Sequence, residues 1–234
     1  NMYSKNLVRY GVDPTARKFK KYYKKDIKVT PKIFKKKIFK SNLKFKIITA
    51  IAMFYDLKNP MGFCKEIEKH LHKDGIFHVE IAYLPDILRL FTFDTFCQEH
   101  LTYFSFISFN YLINRTNLKI IDYQRNNING GSINFNLSFK NSRYVTKDKK
   151  LKKLLEYEKK IGINKLKTYK TFYNELMKKA KHIKKKILYL KTKNMNIYGY
   201  GASTKGNVLL QLCGLDDHMI NGIYDVNKEK FNQY

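Results

Sequence analysis

The sequence predicts an α/β chain made of two successive strand–helix–strand units, the first within residues 1–124 and the second within residues 125–234. Three observations predict it. The run Phe45–Phe54 is almost continuously apolar, as a central parallel strand buried on both faces reads. Asn59-Pro60 then opens a helical pattern reaching Leu71, and Asp74-Gly75 turns into a strand over Ile76–Ala82. Far downstream, Met195–Tyr200 reads as a strand, Gly199–Asn207 as a glycine-rich turn, Gly206–Cys213 as a helix and Met219–Tyr224 as the next strand.

The remaining elements follow in order. Leu7–Val12 reads as a short strand closed by Gly11 and Asp13-Pro14. Thr15–Tyr23 is basic and helix-compatible, Ile27–Val29 is a short strand, and Pro31 starts a Lys-rich helix. Pro85–Leu90 has a helical pattern, and Phe91–Thr102 reads as a polar loop. Ser105 suits the N-cap of an amphipathic helix reaching Thr116, with Phe106, Phe109, Leu112 and Ile113 on its apolar face. Leu118–Tyr123 and Ser132–Phe139 are strands, and the alternation of the second predicts one exposed face. Lys147–Leu190 is helical and broken at Gly162, with Leu154, Leu176 and Ile187 among its buried stripe.

Lys+Arg number 47 against 19 Asp+Glu, a net charge of +28. Such a balance invites a nucleic-acid or anionic-membrane partner. Arginine argues otherwise: only 6 of the basic residues are Arg and 41 are Lys, whereas readers of bases and phosphates lean on the planar guanidinium fork. Joint richness in Lys, Asn, Ile, Phe and Tyr fits an AT-rich coding sequence, so the charge is read as solvated surface without a specific nucleic-acid partner. A basic nucleic-acid-binding module, using runs such as Lys35-Lys36-Lys37 and Lys184-Lys185-Lys186, is the alternative from a different class.

No apolar run approaches the roughly 20 residues of a membrane helix. Asn1-Met2-Tyr3-Ser4-Lys5 has no signal-peptide core, so the expected location is cytoplasmic with no membrane partner. Cys64, Cys97 and Cys213 are far apart and odd in number, which fits a reducing compartment better than a disulfide scaffold. His70, His72, His78, His182 and His218 share no metal-ligand spacing with cysteines or carboxylates, so no metal is assigned. The chain opens on a strand and stops just after another, as expected of a fragment cut at both ends.

Four motifs carry candidate chemistry. Asp13, beside Pro14 at the end of the first strand, stands where a carboxylate accepts hydrogen bonds from both ribose hydroxyls of a nucleoside cofactor; taken alone, Asp-Pro is also ordinary turn chemistry. Glu99-His100 lies on a loop after a sheet strand, and an imidazole with a nearby carboxylate is poised as a proton acceptor; a solvated Glu-His pair is the plain reading. Gly130-Gly131-Ser132 lets backbone approach a ligand closely, or simply turns the chain. Gly199-x-Gly201-x-x-x-Lys205-Gly206-Asn207 presents helix-start amides and an ammonium, a pairing that holds a phosphate or carboxylate. It is not a Walker A loop, because the glycine spacing and the Lys-Ser/Thr pair are wrong.

In this order, these segments resemble the S-adenosylmethionine-dependent sugar C-methyltransferases that act on nucleotide-linked keto-deoxysugars. The resemblance rests on Gly11–Pro14, Phe54–Pro60, Glu99-His100-Leu101-Thr102-Tyr103-Phe104-Ser105, Gly130–Ser132 and Gly199–Asn207, and spans nearly the whole chain. It implies a partial Rossmann-like methyltransferase domain over residues 1–124, then a second Rossmann-like, nucleotide-sugar-binding domain over 125–234. The family's zinc-binding segment, and its first strand with the glycine loop for the cofactor, would lie before residue 1. The family's base falls on His100, with Glu99 beside it. Where some members carry Tyr-His before this pair, this chain has Cys97-Gln98, and where many have His after the central strand it has Asp56.

The resemblance implies an enzyme that methylates a carbon beside a ketone through a base-generated enolate, with S-adenosyl-L-methionine as cofactor and a nucleoside-diphosphate keto-deoxysugar as substrate. His100 is the implied base, and Glu99 orients it or holds a sugar hydroxyl. Asp13 and Pro14 hold the cofactor ribose, and Gly130, Gly131, Ser132, Gly199, Gly201, Lys205 and Asn207 bind the nucleotide sugar. An inactive fragment of such an enzyme is a further alternative. So is an O- or N-methyltransferase on the same scaffold, which needs no base acting on carbon.

Overall fold

The computed structural model describes residues 7–35 and 38–231. Lys36 and Lys37 of the first basic run, and the termini on which the fragment expectation rests, lie outside the described residues. Among the described residues no helix is long and apolar enough to cross a membrane.

Three small sheets order the chain. Strands β1 (Arg9–Val12) and β2 (Ile27–Thr30) pair in parallel. Strand β3 (Phe45–Ile51) leads through a single turn and helix α1 (Pro60–His70) into β4 (Leu71–Ala82), which pairs parallel to β3. The Asn59 carboxamide accepts from Gly62 N at 2.8 Å and caps α1, and Pro60 needs no amide partner at the first helical position. Helices α2 (Leu84–Leu90) and α3 (Phe106–Asn114) follow, then strands β5 (Leu118–Asn126) and β6 (Ser132–Phe139). The order across this sheet is β3-β4-β6-β5, with β6 antiparallel to both neighbours. The boundary expected at 124/125 therefore falls within β5, and β6 beyond it completes the same sheet.

Helices α4 (Asp148–Lys160) and α5 (Leu166–Thr192) come next. They are separated at Gly162, whose φ of +68° suits glycine. The chain ends in β7 (Tyr198–Tyr200), α6 (Thr204–Cys213) and β8 (Gly222–Tyr224), with β7 and β8 parallel. Both predicted strand–helix–strand units are thus present: β3-α1-β4 and β7-α6-β8.

Three expectations are corrected. The run Phe45–Phe54 is an edge strand of its sheet rather than a central one: Ile47 is 63% and Ile51 49% exposed. Residues 15–23 and the described residues after Pro31 form turns, with helical geometry only in a 3-10 turn at Lys20–Tyr22. Both stretches are dense in lysine and lack a periodic apolar face, so nothing couples a helix there to the core. The polar face of β6 is half-buried, because β6 lies inside the sheet and Asn136 meets His78 Nδ1 at 2.7 Å.

The core lies between this sheet and α1 and α3. Phe54, Phe77, Phe109 and Phe135 are fully enclosed, and the rings of Phe109 and Phe135 stack at 4.6 Å. Each such side chain contributes about 2 kcal/mol by leaving water. A polar knot ties the far helices to this core. Glu158 on α4 is 0% exposed and accepts from Tyr83 Oη (2.8 Å), Phe106 N (2.5 Å) and Ile107 N (2.9 Å). It thereby satisfies amides at the start of α3, beside the Ser105 cap.

Candidate active site

A cavity of about 210 Å³ opens beyond the carboxyl ends of β3 and β4. Its lining includes Tyr55, Glu80, Thr95, His100, Ser132 and Lys205. This is the position where α/β sheets place ligands. Five segments supply these groups, with Ser132 being the first residue of β6. Ala52 and Tyr55 follow β3, and Ala52 turns at φ +52°, a left-handed backbone its methyl tolerates poorly. Glu80 comes from β4, Thr95 and His100 from the loop after α2, and Lys205 from the first turn of α6.

The loop that carries His100 is held from several sides. Leu101 N and Thr102 N both donate to the Tyr55 carbonyl, at 3.0 and 3.1 Å. Phe91 and Phe96 pack on Phe172 of α5, with Phe91 stacked at 5.5 Å. Helix α6 packs against the 3-10 turn Phe93–Thr95, and Lys205 Nζ lies 3.5 Å from the Asp94 carboxylate. The imidazole of His100 rests edge-on against the Tyr55 ring at 4.5 Å, and its Nδ1 lies 3.1 Å from Thr95 Oγ1.

Glu99 does not hold this ring. It is exposed and accepts from the Cys97 thiol. Burial pushes the Cys97 thiol up, and the Glu99 bond adds to that. Asp56 stands near both groups. Desolvation raises its carboxyl, the nearby Glu99 charge adds to the rise, and His100 pulls against it. Burial also raises the Tyr55 phenol, followed by the charges of Asp56, Cys97 and Glu80.

The glycine motifs divide. A Cβ on Gly131 would stand 2.5 Å from Asp86 Cβ, and one on Gly130 would stand 2.5 Å from Thr92 Cγ2. Both glycines have positive φ, +115° and +82°. Their smallness serves packing of this turn onto α2 and the following loop, while Asn129 and Ser132 on either side line the cavity. Ser132 Oγ donates to the Ile128 carbonyl at 3.2 Å. In the second motif, Gly201 has φ +96° and open space where a Cβ would go. The amide donor of Ala202 is taken by the Asp225 carboxylate at 2.8 Å, and Ser203 Oγ takes Gly206 N at 3.1 Å. Of this motif Lys205 lines the cavity; Gly199 faces Ile223 and Asn207 is exposed.

Asp13 sits at the end of β1, outside the cavity lining. Its carboxylate already accepts from Thr15 N and Thr15 Oγ1, both at 2.7 Å, and from Tyr23 Oη at 3.4 Å. These bonds from Thr15 hold the carboxyl below its ordinary range. A carboxylate offers about four acceptor positions, so one remains open. Among the described residues, no group of three or more His, Cys, Asp or Glu is placed to hold a metal ion.

Of the residues singled out as candidates in the sequence, His100, Lys205 and Ser132 line this cavity; Glu80, Tyr55 and Thr95, which line it too, were not singled out for a role. Glu80 had a readable signal: it is a lone carboxylate within the apolar strand Ile76–Ala82, near its carboxyl end.

The arrangement is that of an α/β protein with an imidazole, a phenol, a carboxylate and an ammonium facing one small cavity. Residues 127–234 match the family model of the C-methyltransferase C-terminal domain. The chain is 32% identical over 145 residues to the C-methyltransferase NovU of Streptomyces niveus. That match covers 62% of this chain but 34% of the relative, so the chain spans about a third of that protein's length. Over these stretches the chain is similar to C-methyltransferases. Similar solved structures include the methyltransferase bound to the Trm112 activator of Haloferax volcanii, at 16% identity, TM-score 0.45, 52% of this chain and 55% of that one. Another is the plantazolicin methyltransferase BpumL with S-adenosylhomocysteine, at 9% identity, TM-score 0.43, 56% of this chain and 67% of that one.

Proposed function

We propose that this chain forms the proton-abstracting and acceptor-binding part of an S-adenosyl-L-methionine-dependent C-methyltransferase acting on a nucleoside-diphosphate keto-deoxysugar. The observation that carries the reading is the cavity in which His100 of the first unit meets Lys205 of the second, in a chain matched to C-methyltransferases. A carbon beside a ketone is acidic enough to lose its proton to an imidazole. His100 takes that proton, and the C–H electron pair moves into the carbonyl to give an enolate. In the tautomer whose Nδ1–H donates to Thr95 Oγ1, the free lone pair is on Nε2, and the proposed step uses that tautomer. Tyr55 packs the ring in place, and Lys205, released from Asp94, takes a negatively charged part of the substrate. Asp13 contributes its remaining acceptor position to the cofactor ribose. When bound, the cofactor supplies an electrophilic methyl group.

The test is a reaction of the enzyme with a nucleoside-diphosphate keto-deoxysugar and S-adenosylmethionine carrying a ¹³C-methyl group. The reading expects a product whose labelled methyl couples to a sugar carbon. A labelled methyl on oxygen or nitrogen contradicts it.

A further inference from the structure

The cavity holds a carboxylate that the mechanism above leaves idle. Glu80 is the only carboxylate among its described lining residues. On β4, Phe77, Val79 and Ile81 enter the core, while His78, Glu80 and Ala82 take the other face, and Glu80 is half-buried there. Its only side-chain hydrogen bond among the described residues comes from Asn126 Nδ2 to Oε1, at 3.3 Å. Oε2 has none. Of the nearby acidic groups, Asp94 is engaged with Lys205, Asp86 with Arg125 and Arg89, and Glu99 with Cys97, while Asp56 lies outside the cavity lining. An acceptor position of a cavity-lining carboxylate that no protein donor meets is left to water or to a ligand donor.

Several other polar lining groups can donate. Lys205 carries only donors, and the Tyr55, Thr95 and Asn129 side chains have donors to offer, while Ser132 Oγ already donates to the Ile128 carbonyl. A nucleotide sugar brings phosphate oxygens to the ammonium, and its ring brings hydroxyl or ammonium donors that need an acceptor.

We infer that Glu80 is the acceptor-reading residue of this site, taking a hydrogen bond through Oε2 from a donor on the sugar ring and so setting which sugars bind. This rests on the nucleotide-sugar reading above. It assigns Glu80 a role in binding and none in proton removal from carbon.

The test is calorimetric titration of the chain, its Glu80→Gln and Glu80→Asp variants, and Lys205→Ala, with UDP, UDP-glucose and UDP-glucosamine. Both Glu80 variants should bind UDP-glucose about tenfold more weakly, the size of a lost charged hydrogen bond, and bare UDP within about twofold of the parent. Lys205→Ala should weaken both. A larger loss with UDP-glucosamine identifies an ammonium as the donor, and equal losses identify a hydroxyl. If UDP-glucose binds the parent and the Glu80 variants equally, the inference is overturned while the nucleotide-sugar reading stands. If no probe binds the parent chain, that reading fails and takes the inference with it. Unchanged affinity with loss of solvent exchange at the sugar carbon would make Glu80 a base, and would also overturn it.

Discussion

Thr95 Oγ1 lies 3.1 Å from His100 Nδ1, and this contact leaves Nε2 as the imidazole nitrogen available to a substrate. Glu99, the neighbour in sequence, faces the Cys97 thiol instead. In the proposed mechanism Thr95 is therefore a positioning residue. Thr95→Val keeps the shape and removes the hydroxyl. It is expected to lower kcat about tenfold with KM nearly unchanged, because a misaligned base loses rate rather than binding. Thr95→Ser should restore most of the rate. Equal kcat in Thr95→Val and the parent would remove Thr95 from the account.

Glu158 ties α4 to the start of α3 through three donors while wholly excluded from solvent. Glu158→Ala strands a buried phenol and two amides. The expected cost is about 3 kcal/mol, read as a lower urea midpoint at an unchanged slope. A loss under about 1 kcal/mol would show that water replaces the carboxylate.

The two glycine motifs differ in what surrounds them, and substitution should separate them. Gly131→Ala combines φ +115° with a clash against Asp86 and should destabilise by about 3 kcal/mol. Gly201→Ala meets open space and should cost only the backbone penalty of about 1 kcal/mol. Thermal or urea unfolding of the pair checks the order, and the reverse order contradicts the packing described.

Asp122 gives the clearest pH dependence. Burial pushes its carboxyl up, but hydrogen bonds from Lys147 and Lys150 outweigh this and bring it down to about 2. A carboxyl lowered on folding stabilises the protein fully above its unfolded value of 3.8, and that contribution fades as pH falls through about 2. Asp122→Asn should therefore be less stable than the parent at pH 6, with the gap closing between pH 4 and 2. A gap that is constant across this range would contradict the ion-pair explanation.

Much of this was legible in sequence because local signals agreed with the fold. Asn59-Pro60, Ser105 and Gly162 punctuate helices where the structure starts or breaks them. His100 and Lys205 stood out because each sits beside other chemically marked residues. The rest was hidden for physical reasons. Whether Phe45–Phe54 is central or at an edge depends on neighbouring strands, which an apolar run does not encode. Thr95 and Tyr55 act only through the contact they make across the loop, and neither residue type is unusual in its segment. The glycines at 130 and 131 have the same sequence signature whether they admit a ligand or, as here, Asp86 and Thr92.

The most direct test of the central claim needs no methyl donor. The chain is incubated in D₂O with a nucleoside-diphosphate keto-deoxysugar, and loss of the proton beside the ketone is followed by NMR. The parent should speed this exchange, and His100→Gln should slow it at least about a hundredfold, the usual contribution of a general base. Equal exchange by the parent and His100→Gln would show that His100 does not take the proton.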